Sequence, residues 1–164
     1  MLRFNPIVDR WANFYFFIQN LAEWHFSNIK AYNEYWDKIA GPFTQEEQEL
    51  FKQFKGIRSR YGVNKPTMFG DCFFRQQEPW GCLKNEITPE EFKEIKRVFD
   101  SLEPKFEKLW GQEQLNLQKW KGILTSRLNN QNEHQRIIST LEILFQTKIS
   151  KQQIVNIFLL FSSP

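Results

Sequence analysis

Three polar residues lie within the apolar stripes of predicted helices, and their side chains are of the types that bind metal. His25, Glu113 and His134 each stand in phase with the apolar positions of their own helix. Two imidazoles and a carboxylate are the donors that a catalytic zinc or a non-haem iron site uses. The pattern therefore predicts a candidate metal site assembled from three helices.

A simpler interpretation gives these three residues structural roles. His25 would then donate to a backbone carbonyl or a tyrosine in the core, Glu113 would cap or pair with a cation, and His134 would be half exposed. This interpretation is favoured, because no two of the candidate ligands have the local spacing of a metal motif. No cofactor is predicted.

The cysteines and the motif search bear on covalent catalysis. The chain contains no GxGxxG, GxxxxGK[ST], HExxH, GxSxG or CxxC motif. Cys72 and Cys82 lie in one irregular region, and no apolar signal segment opens the sequence. We therefore expect a cytoplasmic, reducing setting with free thiols, in which Cys72 is packed and inert rather than a nucleophile activated by His25.

Composition and charge favour a single globular domain over residues 1–164. The net charge is +3 and aromatic residues make up 16% of the chain, with 17 Phe. Large rings bury much area per residue, so we expect an aromatic core. Acidic and basic residues alternate along the chain without a sustained basic stripe, which predicts no nucleic-acid partner. No stretch is apolar enough to predict a membrane partner.

One long aromatic stretch, Ile7 to Ala40, is predicted to form the helix at the centre of the fold. At about 100° per residue its large apolar side chains fall on one side, and His25 falls among them. The helix is expected to begin after Asn5-Pro6 and to end at Gly41-Pro42. The stripe consists of Trp11, Phe14, Tyr15, Ile18, Leu21, Ala22, Ile29, Tyr32, Trp36 and Ile39.

The aromatic face of this helix is wider than one neighbouring helix can cover. Phe16 lies on its polar side, while Phe17 and Trp24 widen the stripe at one edge. Trp80 stands in a Glu-Pro-Trp-Gly turn, where it either anchors the loop or recognises a partner. We predict that Phe16, Phe17, Trp24 and Trp80 contact another protein domain or subunit.

Further helices are marked by their start signals. Thr44 to Glu47 is a capping box, and Thr88-Pro89 opens a helix whose stripe continues in phase through Pro104. That continuity predicts either one kinked helix or two consecutive helices. Another helix is expected from about Glu133. Residues 62–87, which are aromatic but not periodic, are predicted to form an ordered loop packed on the helices.

The segment from about 153 to 161 is apolar on both faces and is predicted to form a fully buried strand, with a helix as the alternative. A buried strand needs partners. It joins a small sheet with residues 2–8 or 67–74, pairs with another chain, or belongs to a sheet completed elsewhere. In the last case the chain is the N-terminal portion of a larger protein.

The predicted fold class is mainly α, with about five helices packed around the helix over 7–40 and a C-terminal strand. Two functions remain open. The first is a non-catalytic scaffold or interaction domain that docks on a partner domain or subunit through its aromatic surface. The second is the helical part of a larger enzyme, for example a zinc-dependent hydrolase or metallopeptidase, with catalytic residues beyond Pro164.

Overall fold

The fold is mainly α-helical, with one small parallel sheet. The computed structural model describes residues 2–23, 30–61, 70–146, 148 and 154–161. The elements in chain order are β1 (Arg3–Ile7), α1 (Arg10–Leu21), α2 (Lys30–Ala40), α3 (Gln45–Arg60), α4 (Trp80–Leu83), α5 (Pro89–Asn129), α6 (Gln131–Phe145) and β2 (Ile154–Phe158). The predicted helical fold with a C-terminal strand is confirmed. No helix in the described ranges is both long and apolar enough to cross a membrane.

The chain divides into two compact units. The aromatic unit comprises Asp9–Glu113 and Leu160–Pro164, and the terminal unit comprises Met1–Val8 and Gln114–Leu159. Helix α5 contributes its first part to the aromatic unit and its second part to the terminal unit.

Helix α1 is shorter than the aromatic stretch predicted. It begins at Arg10 because the Asp9 carboxylate accepts the Ala12 N–H at 2.8 Å, and the residues before it form β1. It ends at Leu21, and Glu23 then adopts the left-handed conformation with φ +48°. Such a φ cannot continue a helix, so one uninterrupted helix over 7–40 is wrong. Hydrophobic phase alone does not reveal a local break of this kind.

The core of the aromatic unit is built from stacked rings, as the composition predicts. The Phe14 ring stacks on Phe106 with centroids 4.2 Å apart. Phe73 stacks on both Tyr15, at 4.6 Å, and Phe99, at 5.0 Å. Because these residues come from α1, α5 and the segment before α4, the rings join parts of the chain that are distant in sequence.

The helix starts follow their sequence signals. At α3 the Thr44 hydroxyl accepts the Glu47 N–H, and the Glu47 carboxylate accepts the Thr44 N–H, which confirms the capping box. Helix α5 is one helix that contains Pro104. Proline removes one backbone donor, but Leu102 and Phe106 on either side are fully buried. Their packing retains the helix across the proline.

The C-terminal strand β2 pairs in parallel with β1. The register places Asn5 beside Asn156 and Ile7 beside Phe158. The predicted strand is thus confirmed, and of the alternative partners considered for it the structure shows the segment over 2–8. The prediction that the strand is fully buried is wrong, since Ile154 is 68% exposed. On the described two-stranded sheet Ile7 is buried, whereas Ile154 and Val155 stay exposed.

The segment before α5 is closed by a disulfide between Cys72 and Cys82, so the expectation of free thiols is wrong. A turn at 70–74 and α4 bring the two Cα atoms to 5.6 Å, a normal spacing for a disulfide. Phe73 is fully buried beside the bridge. The first part of the predicted aromatic loop, 62–69, lies outside the described residues.

Candidate functional site

Glu113 has a structural role within the aromatic unit. Its carboxylate accepts a hydrogen bond of 2.9 Å from the Tyr35 hydroxyl of α2. Burial raises the pKa of Tyr35, and the hydrogen bond to Glu113 raises it further, because both favour the protonated phenol. The contact therefore ties α2 to α5.

His134 lies in the terminal unit, half buried in the first turn of α6. Its Nδ1–H donates to the Leu128 carbonyl at 3.1 Å, and the Phe4 ring packs edge-on at 5.5 Å. Nε2 is buried and has no hydrogen-bond partner among the described residues. A cleft of about 670 Å³ lies nearby, lined by Leu2, Arg3, Phe4, Leu128, Asn129, Gln131, Asn132, His134 and Gln135. Its polar lining is mostly amides and offers no pair of groups for acid–base chemistry.

The predicted metal site is not assembled among the residues that can be described. Within them, no three His, Cys, Asp or Glu side chains are grouped to bind a metal ion. His25 lies outside the described residues, while Glu113 and His134 belong to different units and have the partners given above. A site that includes His25 stays a prediction.

The four residues predicted to contact a partner have different environments. Phe17 is fully buried, with its ring 5.2 Å from that of Trp36. Phe16 is half buried, edge-on to Trp36 at 6.1 Å, and Trp80 packs edge-on against Phe99 at 5.3 Å. Trp24 lies outside the described residues. The three that are described are thus used mainly within the core of the aromatic unit.

Exposed large apolar side chains are instead concentrated in the terminal unit. Every such side chain identified in the described ranges belongs to this unit. They are Leu115 (73% exposed), Trp120 (61%), Ile123 (38%), Ile143 (78%), Leu144 (70%), Phe145 (66%), Ile154 (68%) and Val155 (39%). Leu115, Trp120 and Ile123 share the second part of α5, and neighbouring exposed apolar side chains of this kind are typical of a surface that another molecule covers.

The second part of α5 presents a defined apolar and basic face. Leu115, Lys119, Ile123 and Arg127 recur every four residues, so they form one row along the helix, and Trp120 lies beside that row. The opposite side of the helix carries Leu117 and Leu128, which are buried. We call the row together with Trp120 the α5 face.

The terminal unit is also the basic part of the molecule. Its sequence ranges contain seven Lys and Arg residues and two Glu, whereas the rest of the chain contains fifteen basic and seventeen acidic residues. Lys119 and Arg127, both exposed on the α5 face, form no ion pair with any described residue. The α5 face therefore combines apolar area with uncompensated positive charge.

Sequence reasoning missed this face for a physical reason. Hydrophobic periodicity places Trp120 in phase with Leu117 and Leu124, so it predicts a single buried stripe along the second part of α5. The available signal was that Trp120 stands between Lys119 and Lys121, two residues whose charges favour contact with solvent. Local excess of cations over 114–159 was a second signal, hidden by the modest net charge of the whole chain.

Comparison of the chain with protein-family models, with curated proteins and with solved structures finds no match.

Proposed function

We propose that this chain is a non-catalytic interaction module, which docks an acidic amphipathic helix of a partner protein on the α5 face. The observation that carries this proposal is the concentration of exposed apolar side chains in the terminal unit, with Trp120 at 61% exposed. Tryptophan is among the residues that contribute most binding energy at protein interfaces.

The spacing of the face favours a helix as the partner element. Leu115, Lys119, Ile123 and Arg127 form a ridge along α5 whose length, from Leu115 to Arg127, is about 18 Å at the rise of an α-helix. Ridges at four-residue spacing pack into the grooves of a neighbouring helix. An amphipathic partner helix of three to four turns covers such a ridge.

The charge of the face favours an acidic partner. Lys119 and Arg127 flank Ile123, so carboxylates beside the partner's apolar stripe would lie close to both cations. Complementary charges speed association and exclude partners of the wrong sign. A second copy of the same face would bring like charges together and is disfavoured.

Two earlier expectations stay predictions. The enzyme hypothesis concerns residues beyond Pro164, and no contact of the described residues favours it. The cytoplasmic location does not enter the proposal, because a Cys72–Cys82 disulfide is typical of proteins from oxidising compartments.

Docking through Phe16 or Trp80 would use side chains that already pack within the aromatic unit.

Binding of two designed helical peptides tests the proposal. One carries a leucine stripe flanked by glutamates, and the other has lysines in place of the glutamates. Fluorescence anisotropy of the labelled acidic peptide should show saturable binding to the full chain, and the basic peptide should bind at least about tenfold more weakly.

A matched pair of variants locates the site. Lys119→Gln and Gln118→Glu each lower the net charge by one at exposed neighbouring positions, but only Lys119 lies on the α5 face. Lys119→Gln should weaken the acidic peptide several-fold, and Trp120→Ala should weaken it by about tenfold or more, while Gln118→Glu should have a smaller effect than Lys119→Gln. Three results would each overturn the proposal. The first is equal binding of both peptides, and the second is an equal effect of Lys119→Gln and Gln118→Glu. The third is that the chain binds anionic vesicles or nucleic acid in preference to the acidic peptide.

A further inference from the structure

We infer that the edge of β2 that faces away from β1, which no described strand pairs and which we call the open edge, pairs antiparallel with β2 of a second copy of this chain, which gives a four-stranded sheet centred on Asn156. The described sheet has only β1 and β2, and Ile154 and Val155 are exposed on it. A two-stranded sheet is marginal in water, and parallel strands are normally covered on both faces. A second copy would extend the sheet and cover part of this apolar surface.

The hydrogen bonding to β1 fixes which backbone groups point to the open edge. The Leu159 N–H donates to the Ile7 carbonyl at 2.8 Å, and Ile7 pairs with Phe158. Since the direction of backbone groups alternates along a strand, those of Val155 and Ile157 point towards β1. The N–H and carbonyl of Asn156 therefore point away from β1, towards the open edge.

The sequence of β2, Ile-Val-Asn-Ile-Phe, is self-complementary about Asn156. In an antiparallel pair with its twofold axis at Asn156, the two Asn156 residues exchange both backbone hydrogen bonds. Val155 then lies opposite Ile157 of the other copy. An axis at Val155 would instead place Ile154 opposite Asn156, so the Asn156 register is the better match.

The Asn156 side chain also fits a position on the axis. Its Oδ1 accepts a hydrogen bond of 3.1 Å from Asn5 Nδ2, while its Nδ2 has no hydrogen-bond partner among the described residues. In the pair, each Nδ2 faces the Oδ1 of the other Asn156. The strand itself carries no charge, whereas the sequence ranges of the terminal unit have seven basic and two acidic residues, so added salt should screen the repulsion between two copies and favour pairing.

Sedimentation equilibrium of the full chain tests the pairing with two variants. Each replaces one asparagine of the register pair Asn5 and Asn156 by aspartate, which adds a negative charge and keeps the size of the side chain. Asn156→Asp places two carboxylates on the axis, with Cα atoms about 5.5 Å apart. Asn5→Asp makes the same change one strand away on each side, which separates the carboxylates by about 15 Å, beyond the Debye length of about 8 Å. Wild type and Asn5→Asp should form dimers, and Asn156→Asp should raise the dimer Kd by about tenfold or more at neutral pH.

Disulfide cross-linking tests the register of the two strands without a measurement of the dimer Kd. In Asn156→Cys the new thiols face each other at a distance that a disulfide spans, and oxidation should give a covalent dimer, whereas Asn5→Cys should not. Circular dichroism verifies that all four variants fold. The inference would be overturned by a wild type that stays monomeric. It would also be overturned by equal dimer Kd values for Asn156→Asp and Asn5→Asp, or by equal cross-linking of the two cysteine variants. A monomer that binds other extended peptides would assign the edge to a different partner.

Discussion

Asn13 connects two distant parts of the aromatic unit through one buried amide. Its Oδ1 accepts the Phe161 N–H at 2.8 Å, and its Nδ2 donates to the Asp9 carbonyl at 2.8 Å. Asparagine side chains are usually solvated, whereas Asn13 is fully buried. Only the position of the chain after β2 reveals its role, and no local pattern encodes that position.

Replacing Asn13 tests this contact. Asn13→Ala leaves the buried Phe161 N–H without its acceptor, so the free energy of unfolding should fall by about 2 kcal/mol. Gln19→Ala removes a less buried amide of the same helix and should change stability by about 0.5 kcal/mol or less. Urea unfolding measures both values, and similar losses for the two variants would contradict the structural role.

The Tyr61–Glu91 contact makes a prediction about alkaline pH. Burial and the hydrogen bond that Tyr61 donates to Glu91 raise the pKa of Tyr61 from 10.0 to about 12. The unfolded tyrosine loses its proton first, so this stabilisation is present below pH 10 and is lost as the pH rises towards 12.

Tyr61→Phe should remove that part of the pH dependence. Between pH 10 and 12 the free energy of unfolding of the wild type should fall more steeply than that of the variant. Between pH 7 and 9 their difference should stay constant, which serves as the internal control. Parallel curves over the whole range would show that the folded tyrosine titrates normally.

At the level of elements, the residues at which helices start were easier to predict than the residues at which helices end or the cysteines that pair. The Thr44 capping box and the β2 strand were readable because short-range hydrogen bonds and β-branched residues determine them. The end of α1 depends on the left-handed Glu23, a residue without a strong preference for that conformation. The Cys72–Cys82 bridge depends on a turn and α4, which bring two residues ten positions apart together.

The disulfide should stabilise the segment before α5. Closing a loop of this length is worth about 2–3 kcal/mol in the chain-entropy model, so a reductant should lower the Tm. A Cys72→Ala/Cys82→Ala variant should already have the lower Tm and should not respond to the reductant. Thermal unfolding monitored by circular dichroism, with and without reductant, makes the comparison. An unchanged wild-type Tm in reductant would contradict a stabilising bridge.

At the level of the whole molecule, the two units differ in how completely they cover their apolar residues. The aromatic unit buries stacked rings such as Phe14 and Phe99, whereas the terminal unit exposes Leu115, Trp120 and Ile154. Sequence patterns predict partner contacts at Phe16, Phe17, Trp24 and Trp80, and the three of these that the structure describes, Phe16, Phe17 and Trp80, pack within the aromatic unit. Periodicity identifies apolar stripes, but it does not tell which stripe the rest of the chain covers.

Two-dimensional ¹H–¹⁵N NMR of the tryptophan indoles, during titration with the acidic helical peptide, tests the docking proposal most directly. Trp120 is 61% exposed on the α5 face, whereas Trp36 is fully buried in the aromatic unit. We expect the Trp120 indole resonance to shift saturably while that of Trp36 stays in place. A fixed Trp120 resonance at saturating peptide, or larger shifts at Trp36 than at Trp120, would contradict docking on the α5 face.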